Sequence, residues 1–240
     1  MLRHSLIFKQ VTLPEHPLGW PAPFDLNLGL KEVLLIEGVD LAESEALLSV
    51  AATLRLPVQG QVWHWGKDTA RVPRSELYHL RRQIAYITPR QVLLHRLTLM
   101  ENIALGPGYY QDCSVGEVFR QYGALLEFLD LGPYLSLFPP QVPEAVYFRT
   151  LWARELVKGP ELILAALEGP LRAAETYKMI FPWLKNYLEE QERAAIIMGR
   201  SLKGFHVIAH RLLKLHAGRL EESRFLEQKE PPLTAFLPLV

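Results

Sequence analysis

Three short runs in this chain are apolar at every or nearly every position: residues 33–38, 162–167 and 194–198. A strand that is apolar on both faces must be covered on both, which requires helices above and below a sheet of largely parallel strands. Helical patterns occur where such a sheet needs them, over 42–54, 116–131, 144–157, 175–191 and 202–209. Further strand-like runs lie at 5–11, 24–30, 61–65 and 84–88, and the early ones alternate as antiparallel strands do. The chain of 240 residues is 49% hydrophobic, enough to bury a sizeable core.

Helix starts are legible. Asp40 with Glu43, and Ser114 with Glu117, have capping-box spacing, and Pro143 suits the first turn of the helix it opens. Gly132 is placed to end the helix over 116–131 in a left-handed conformation, and Pro182 should kink or split 175–191. In the run 61–65, Trp63 and Trp65 share one face, which reads as a packing face or a partner surface. Residues 100–158 form the mainly helical part of an otherwise α/β chain, an inserted helical subdomain within a single domain spanning 1–240. A terminal hairpin over 211–215 and 219–222 leads into a Pro-rich tail, docked or frayed.

Composition excludes several classes. Lys plus Arg number 26 and Asp plus Glu 26, so no global field attracts nucleic acid or an acidic membrane surface. The single cysteine, Cys113, rules out an internal disulfide framework and fits a reducing compartment. No apolar run approaches the roughly 18 residues that span a bilayer, and the first residues lack the apolar core of a secretory signal. The expectation is a soluble chain that meets a membrane only through a partner. His206 and His210, four apart, have no evident third ligand, so no metal site is expected, and the arginines Arg71, Arg74, Arg81 and Arg82 read as a solvated helix face.

Four blocks, in order, carry a resemblance. Gln59-Gly-Gln-Val-Trp-His-Trp-Gly-Lys-Asp68 resembles the stretch after the first helix of ABC transporter nucleotide-binding domains. Leu80-Arg-Arg-Gln-Ile-Ala-Tyr-Ile87 and Leu97-Thr-Leu-Met-Glu-Asn-Ile-Ala-Leu-Gly106 are similar to the segments flanking that family's Q-loop. Leu151 to Leu164 resembles the helix and strand between signature motif and Walker B, and Leu212 to Leu220 its closing hairpin. The resemblance runs over nearly the whole chain. It implies an α/β, P-loop NTPase-like ABC ATPase fold, with an antiparallel β part, a mainly parallel core sheet and an inserted helical subdomain.

The residues at the family's catalytic positions differ from its pattern. A P-loop needs glycines to let backbone N–H groups cradle phosphate, a Lys for the β/γ oxygens and a Ser/Thr hydroxyl for Mg²⁺. Aligned without gaps, that stretch reads Gly38-Val-Asp-Leu-Ala-Glu43-Ser44-Glu45. Glu43 stands for the second glycine, Ser44 for the lysine and Glu45 for the metal-binding hydroxyl. Like charges about 4 Å apart at an effective dielectric of 20 repel by about 4 kcal/mol, so two carboxylates here disfavour a triphosphate. Asp40 and Glu43 can instead satisfy the free N–H groups of the helix, which then carries its own anion.

The Q-loop glutamine falls on Pro89, with Gln91 close by, and the signature Ser-Gly-Gly on Pro143, Glu144 and Ala145. The Walker B aspartate falls on Ala166 or Leu167, and one inserted residue would put Glu168 at the catalytic glutamate. The switch histidine lands on Arg200 or Ser201, and no D-loop aspartate follows Pro170.

These departures lead to an expected pseudo-ATPase, not an enzyme, with no catalytic residues and with ATP and Mg binding absent or weak. It would scaffold a membrane ABC transporter complex on the cytoplasmic face of the inner membrane, bound to a transmembrane permease and to an active ABC ATPase or a second copy. Arg90, Gln91, Val92, Leu93 and Leu94, just past the Q-loop, would meet the permease, since apolar residues there suit helix-in-groove binding; the other reading sends the leucines into the core. Ser75-Glu-Leu-Tyr78, followed by arginines, resembles the branch associated with bacterial phospholipid trafficking. The alternatives are a divergent but active ABC ATPase and a stand-alone binding or regulatory module.

Overall fold

The computed structural model describes residues 4–14, 20–168, 174–190, 193–216 and 219–223. In chain order the elements are β1 (His4–Thr12), β2 (Phe24–Gly29), β3 (Val33–Glu37), α1 (Leu41–Ala51), β4 (Gln59–His64), β5 (Lys67–Asp68), α2 (Arg74–Arg82) and β6 (Ile84–Ile87). There follow α3 (Leu99–Gln111), α4 (Val115–Phe128), α5 (Glu144–Leu156), β7 (Leu162–Ala166), α6 (Ala174–Glu190), β8 (Ala194–Gly199), β9 (Arg211–His216) and β10 (Arg219–Ser223).

One sheet has the order β10-β9-β3-β8-β7-β6, parallel throughout except for the β9–β10 hairpin. The three apolar runs are its centre, and every residue of β3, β7 and β8 is buried. Successive side chains point to opposite faces, so each strand feeds two cores. Val33, Leu35, Ile163, Ala165, Ala195 and Ile197 join α3, α4, α5 and α6 in one cluster. Leu34, Ile36, Leu164, Ala166, Ile196 and Met198 join α1 and the second sheet in the other. This is why the runs show no alternation.

The second sheet, β2-β1-β4-β5, is antiparallel and alternates plainly: Phe24, Leu26 and Leu28 are buried while Asp25 and Asn27 are exposed. Its β4 corrects the expected packing face. Val62 and His64 point inward and Trp63 is half-buried on the other face, with the Lys9 ammonium 5.5 Å from its ring centre, while Trp65, just past β4, packs against the core as expected. His64 is fully buried with Nε2 2.7 Å from the Ala51 carbonyl oxygen, and burial pushes its pKa down to about 4.

Other local expectations also shift. The helix α4 stops at Phe128, and the left-handed residue beyond it is Asp130 (φ 48°), while Gly132 opens a 3-10 turn. An aspartate tolerates that conformation because its short polar side chain bonds locally. Pro182 neither splits nor ends α6. Ile180, Leu184, Tyr187 and Leu188 are buried on one face on both sides of it, and this packing outweighs the roughly 3 kcal/mol penalty of an interior proline. The stretch 202–209 forms only a 3-10 helix, Lys203–Ile208. The Pro-rich tail lies outside the described residues.

The strand β6 ends the parallel sheet, and an exposed edge of unpaired N–H and C=O groups invites aberrant pairing. An ion pair between the last turn of α5 and the turn beyond it covers it: Glu155 accepts from the Tyr86 N–H (3.3 Å), and Lys158, 2.6 Å from Glu155, donates to the Ile84 carbonyl (2.8 Å).

Candidate functional site

Because β3, β8, β7 and β6 run parallel, the residues following each of them meet along one edge: Gly38, Arg200, Leu167 with Glu168, and Thr88. Such an edge, beyond the carboxyl ends of parallel strands, is where α/β folds bind ligands. The helix α1 opens onto it.

Gly38 makes the turn between β3 and α1 with φ at +81°, and a Cβ there would sit 2.6 Å from the Leu215 carbonyl oxygen of β9. Beyond it Asp40 caps α1. Its carboxylate accepts from the Glu43 N–H (2.8 Å), and the Glu43 carboxylate returns to the Asp40 N–H (2.7 Å), a complete capping box. Ser44 is fully buried, with its hydroxyl donating to the Asp40 carbonyl at 2.8 Å, and the Trp20 indole donates to the Glu43 carbonyl (3.2 Å). The first turn of α1 thus has its own anionic partner. Asp40→Ala removes it and is expected to destabilise the fold by about 1 kcal/mol, read as a lower urea midpoint with an unchanged slope.

Glu45 lies 3.1 Å from the Nε of Arg90, and a hydroxyl hydrogen bond joins it to Thr88. Burial raises its pKa above the usual carboxylate range, opposed by the Arg90 charge and the Thr88 bond. A cavity of about 310 Å³ opens beside the pair, lined by Ser49, Arg55, Tyr86 and Gln91 among others. The structure therefore brings Glu45 together with Arg90 and Gln91. It also brings Glu168 to Arg200, whose N–H donates to Glu168 Oε1 at 2.7 Å, whereas Ala166 and Leu167 are buried in the core. Pro143 and Glu144 stand apart at the start of α5, and among the described residues no hydrogen bond or ion pair joins them to α1. Pro89 occupies the turn after β6. The stretch after Pro170 cannot be placed, since 169–173 lie outside the described residues.

The loop after β6 divides the two readings of its apolar residues. Val92 and Leu94 are 64% and 50% exposed, while Leu93 is buried at 2%. The Leu93 N–H donates to the Tyr147 hydroxyl (2.8 Å), Arg154 donates to the Val92 carbonyl (2.8 Å), and Gln91 reaches Thr88 and Glu155. Three residues of this edge were not singled out from the sequence. Asn102, fully buried, accepts from the Leu94 N–H and donates to the carbonyls of Leu94, Leu97 and Thr98. Glu37 accepts from the Leu202 N–H (2.6 Å) and faces His206 Nε2 (3.0 Å), and Glu155 is the hub described above. A charge closing an otherwise apolar strand run was the signal for Glu37; nothing local marked the other two. His210 accepts from the Val33 N–H, away from His206, and no group of three or more metal-ligating side chains occurs among the described residues. Among them, too, no helix is long and apolar enough to cross a membrane.

No family model matches the chain. It is similar to a methionine import ATP-binding protein, MetN 1, of Burkholderia lata, with 27% identity over 215 residues, covering 88% of this chain and 62% of that protein. A sulfate/thiosulfate import ATP-binding protein, CysA, of Rhodopseudomonas palustris is 26% identical over 204 residues, 82% of this chain and 56% of that one. The chain thus spans about 60% of the length of these relatives. Among solved structures, a dimeric post-hydrolysis state of the ATP-binding cassette MJ0796 bound to ADP and Pi superposes with a TM-score of 0.77 at 23% identity, covering 91% of this chain and 99% of that chain. The ATP-binding subunit of an ABC transporter gives the same TM-score, 0.77, at 19% identity, covering 94% and 90%.

These findings overturn two expectations. The chain was expected not to be an enzyme and to bind ATP and Mg weakly or not at all; the relatives it matches over most of its length are named ATP-binding proteins, and a cassette of the same fold holds ADP and Pi, which count against both. The expectation read function from a few positions, while the similarity extends over most of the chain. At α1 itself the side chains do not fit the family's contacts to phosphate and metal, since Ser44 is turned into the helix, Glu43 is held by Asp40 and Glu45 by Arg90. No chemical step through the nucleotide is derived from them. The fold is that of the ATP-binding cassettes it superposes on, and the sequence relatives that cover most of the chain are ATP-binding proteins of import systems.

Proposed function

We propose that this chain, as one cassette domain over 1–240, is a divergent ATP-binding subunit of a membrane ABC transporter, an ATPase as its relatives' names suggest. The observation that carries the reading is the cassette fold over 91% of the chain, with an exposed apolar pair, Val92 and Leu94, on a loop fastened from behind. Arg90, His95 and Arg96 flank that pair, so an apolar helix with acidic flanks fits it, as a permease segment at the cytoplasmic membrane face would offer. A second cassette, a copy of this chain or another subunit, completes the assembly, as in the dimeric cassette. Phospholipid as the transported substrate rests on Ser75-Glu-Leu-Tyr78 alone.

Co-purification with the cognate permease tests the docking. Val92→Asp with Leu94→Asp is expected to abolish it without changing the melting temperature, because both side chains already face solvent. Retained binding would sink the assigned surface. Calorimetry with Mg·ATP tests the nucleotide: saturable binding is expected, and Glu43→Gly with Ser44→Lys should tighten it by at least about tenfold by exchanging a carboxylate for a cation. No heat in either protein would refute ATP binding and leave the docking result standing.

A further inference from the structure

The loop over 88–98 is tied to the helical part of the molecule by the fully buried Asn102 and the half-buried Tyr147 and Arg154, which hold Leu94, Leu93 and Val92 through their backbone groups. Its tie to α1 is of a different kind. Glu45, one turn behind the capping box, holds Arg90 at 3.1 Å and Thr88 through its hydroxyl, and among the described residues this is the only ion pair between the loop and α1. The two ends differ in exposure, with the Glu45 side chain at 16% and the Arg90 side chain at 68%. The buried end pays desolvation, whereas the exposed end is free to leave into solvent, and the neighbouring cavity of about 310 Å³ gives the pair room to open.

We infer that Glu45 is a latch: through Arg90 and Thr88 it fixes the start of the loop that presents Val92 and Leu94, so that whatever competes for this carboxylate at the α1 terminus changes the docking surface. The functional consequence rests on the proposed docking role of that loop, but the latch itself is tested on the isolated chain. Capping-box residues Asp40 and Glu43 take no part, since each is satisfied by the other.

The experiment is amide hydrogen exchange, followed by NMR at Arg90, Gln91 and Val92, in the wild type, Glu45→Gln, Arg90→Gln and the double variant. A half-exposed ion pair of ordinary strength predicts exchange about fivefold faster in each single variant, with β3 amides unchanged as the control for folding. The double variant should also be about fivefold faster, because the second substitution removes a contact already lost. Wild-type rates in either single variant, or effects that multiply in the double, would overturn the latch. Neither outcome depends on a permease, so failure of docking and failure of the latch are separable.

Discussion

Taking the protein from pH 7 to pH 4 is expected to remove about 3 kcal/mol of stability through His64 alone. The imidazole is fully buried against β1 and α1, and its pKa falls from 6.5 to about 4 because burial penalises the charged form. In the unfolded chain it takes up a proton near 6.5. Above that pH neither state is protonated and the full stability is present. Between 6.5 and 4 the unfolded chain binds a proton that the folded one refuses, so stability falls steadily; below 4 both are protonated and the loss levels off. Urea unfolding across this range should show the steeper decline in the wild type than in His64→Gln, which carries no titrating ring. Parallel curves for the two proteins would show that the ring is not buried as described.

The second large effect is expected from Gly38→Ala. The φ of +81° disfavours any Cβ by about 1–2 kcal/mol, and this one would stand 2.6 Å from the Leu215 carbonyl oxygen, a backbone atom of β9 held by its pairing with Leu220 in the β9–β10 hairpin. Together these predict a loss of about 3 kcal/mol. A shift of the β3–β9 register would ease the clash, and it should appear as weakened exchange protection in β9. Gly66→Ala is a suitable contrast. Its φ of +82° is alike but nothing lies within 4 Å, so only the conformational part of the penalty applies. Equal losses for the two variants would mean that the approach of β9 to Gly38 is looser than described.

Much of the framework is legible in the chain before it folds. The runs at β3, β7 and β8 lack alternation because both their faces are buried, and that single property demands a covered parallel sheet. The capping boxes at Asp40 and Ser114 occur as their spacing requires, since the reciprocal bonds involve only residues three apart. Readings that depended on what a segment packs against were less secure. Pro182 stays within a continuous helix because apolar residues on both sides of it are held by the core. The inward face of β4 carries His64 instead of Trp63, a choice that β1 and α1 make by leaving room for a ring that can donate to Ala51.

The edge of the sheet shows the same division. Local sequence determines that α1 begins at a capped, acidic turn and that a glycine precedes it, because these are matters of backbone dihedrals and neighbouring N–H groups. It does not determine that Glu45 meets Arg90 or that Asn102 holds Leu94. Nor does it reveal that Glu155 and Lys158 close the sheet at β6. Those pairings join residues that are remote in the chain or lie on different elements, and they exist only once parallel strands and the helices across them have been brought into register.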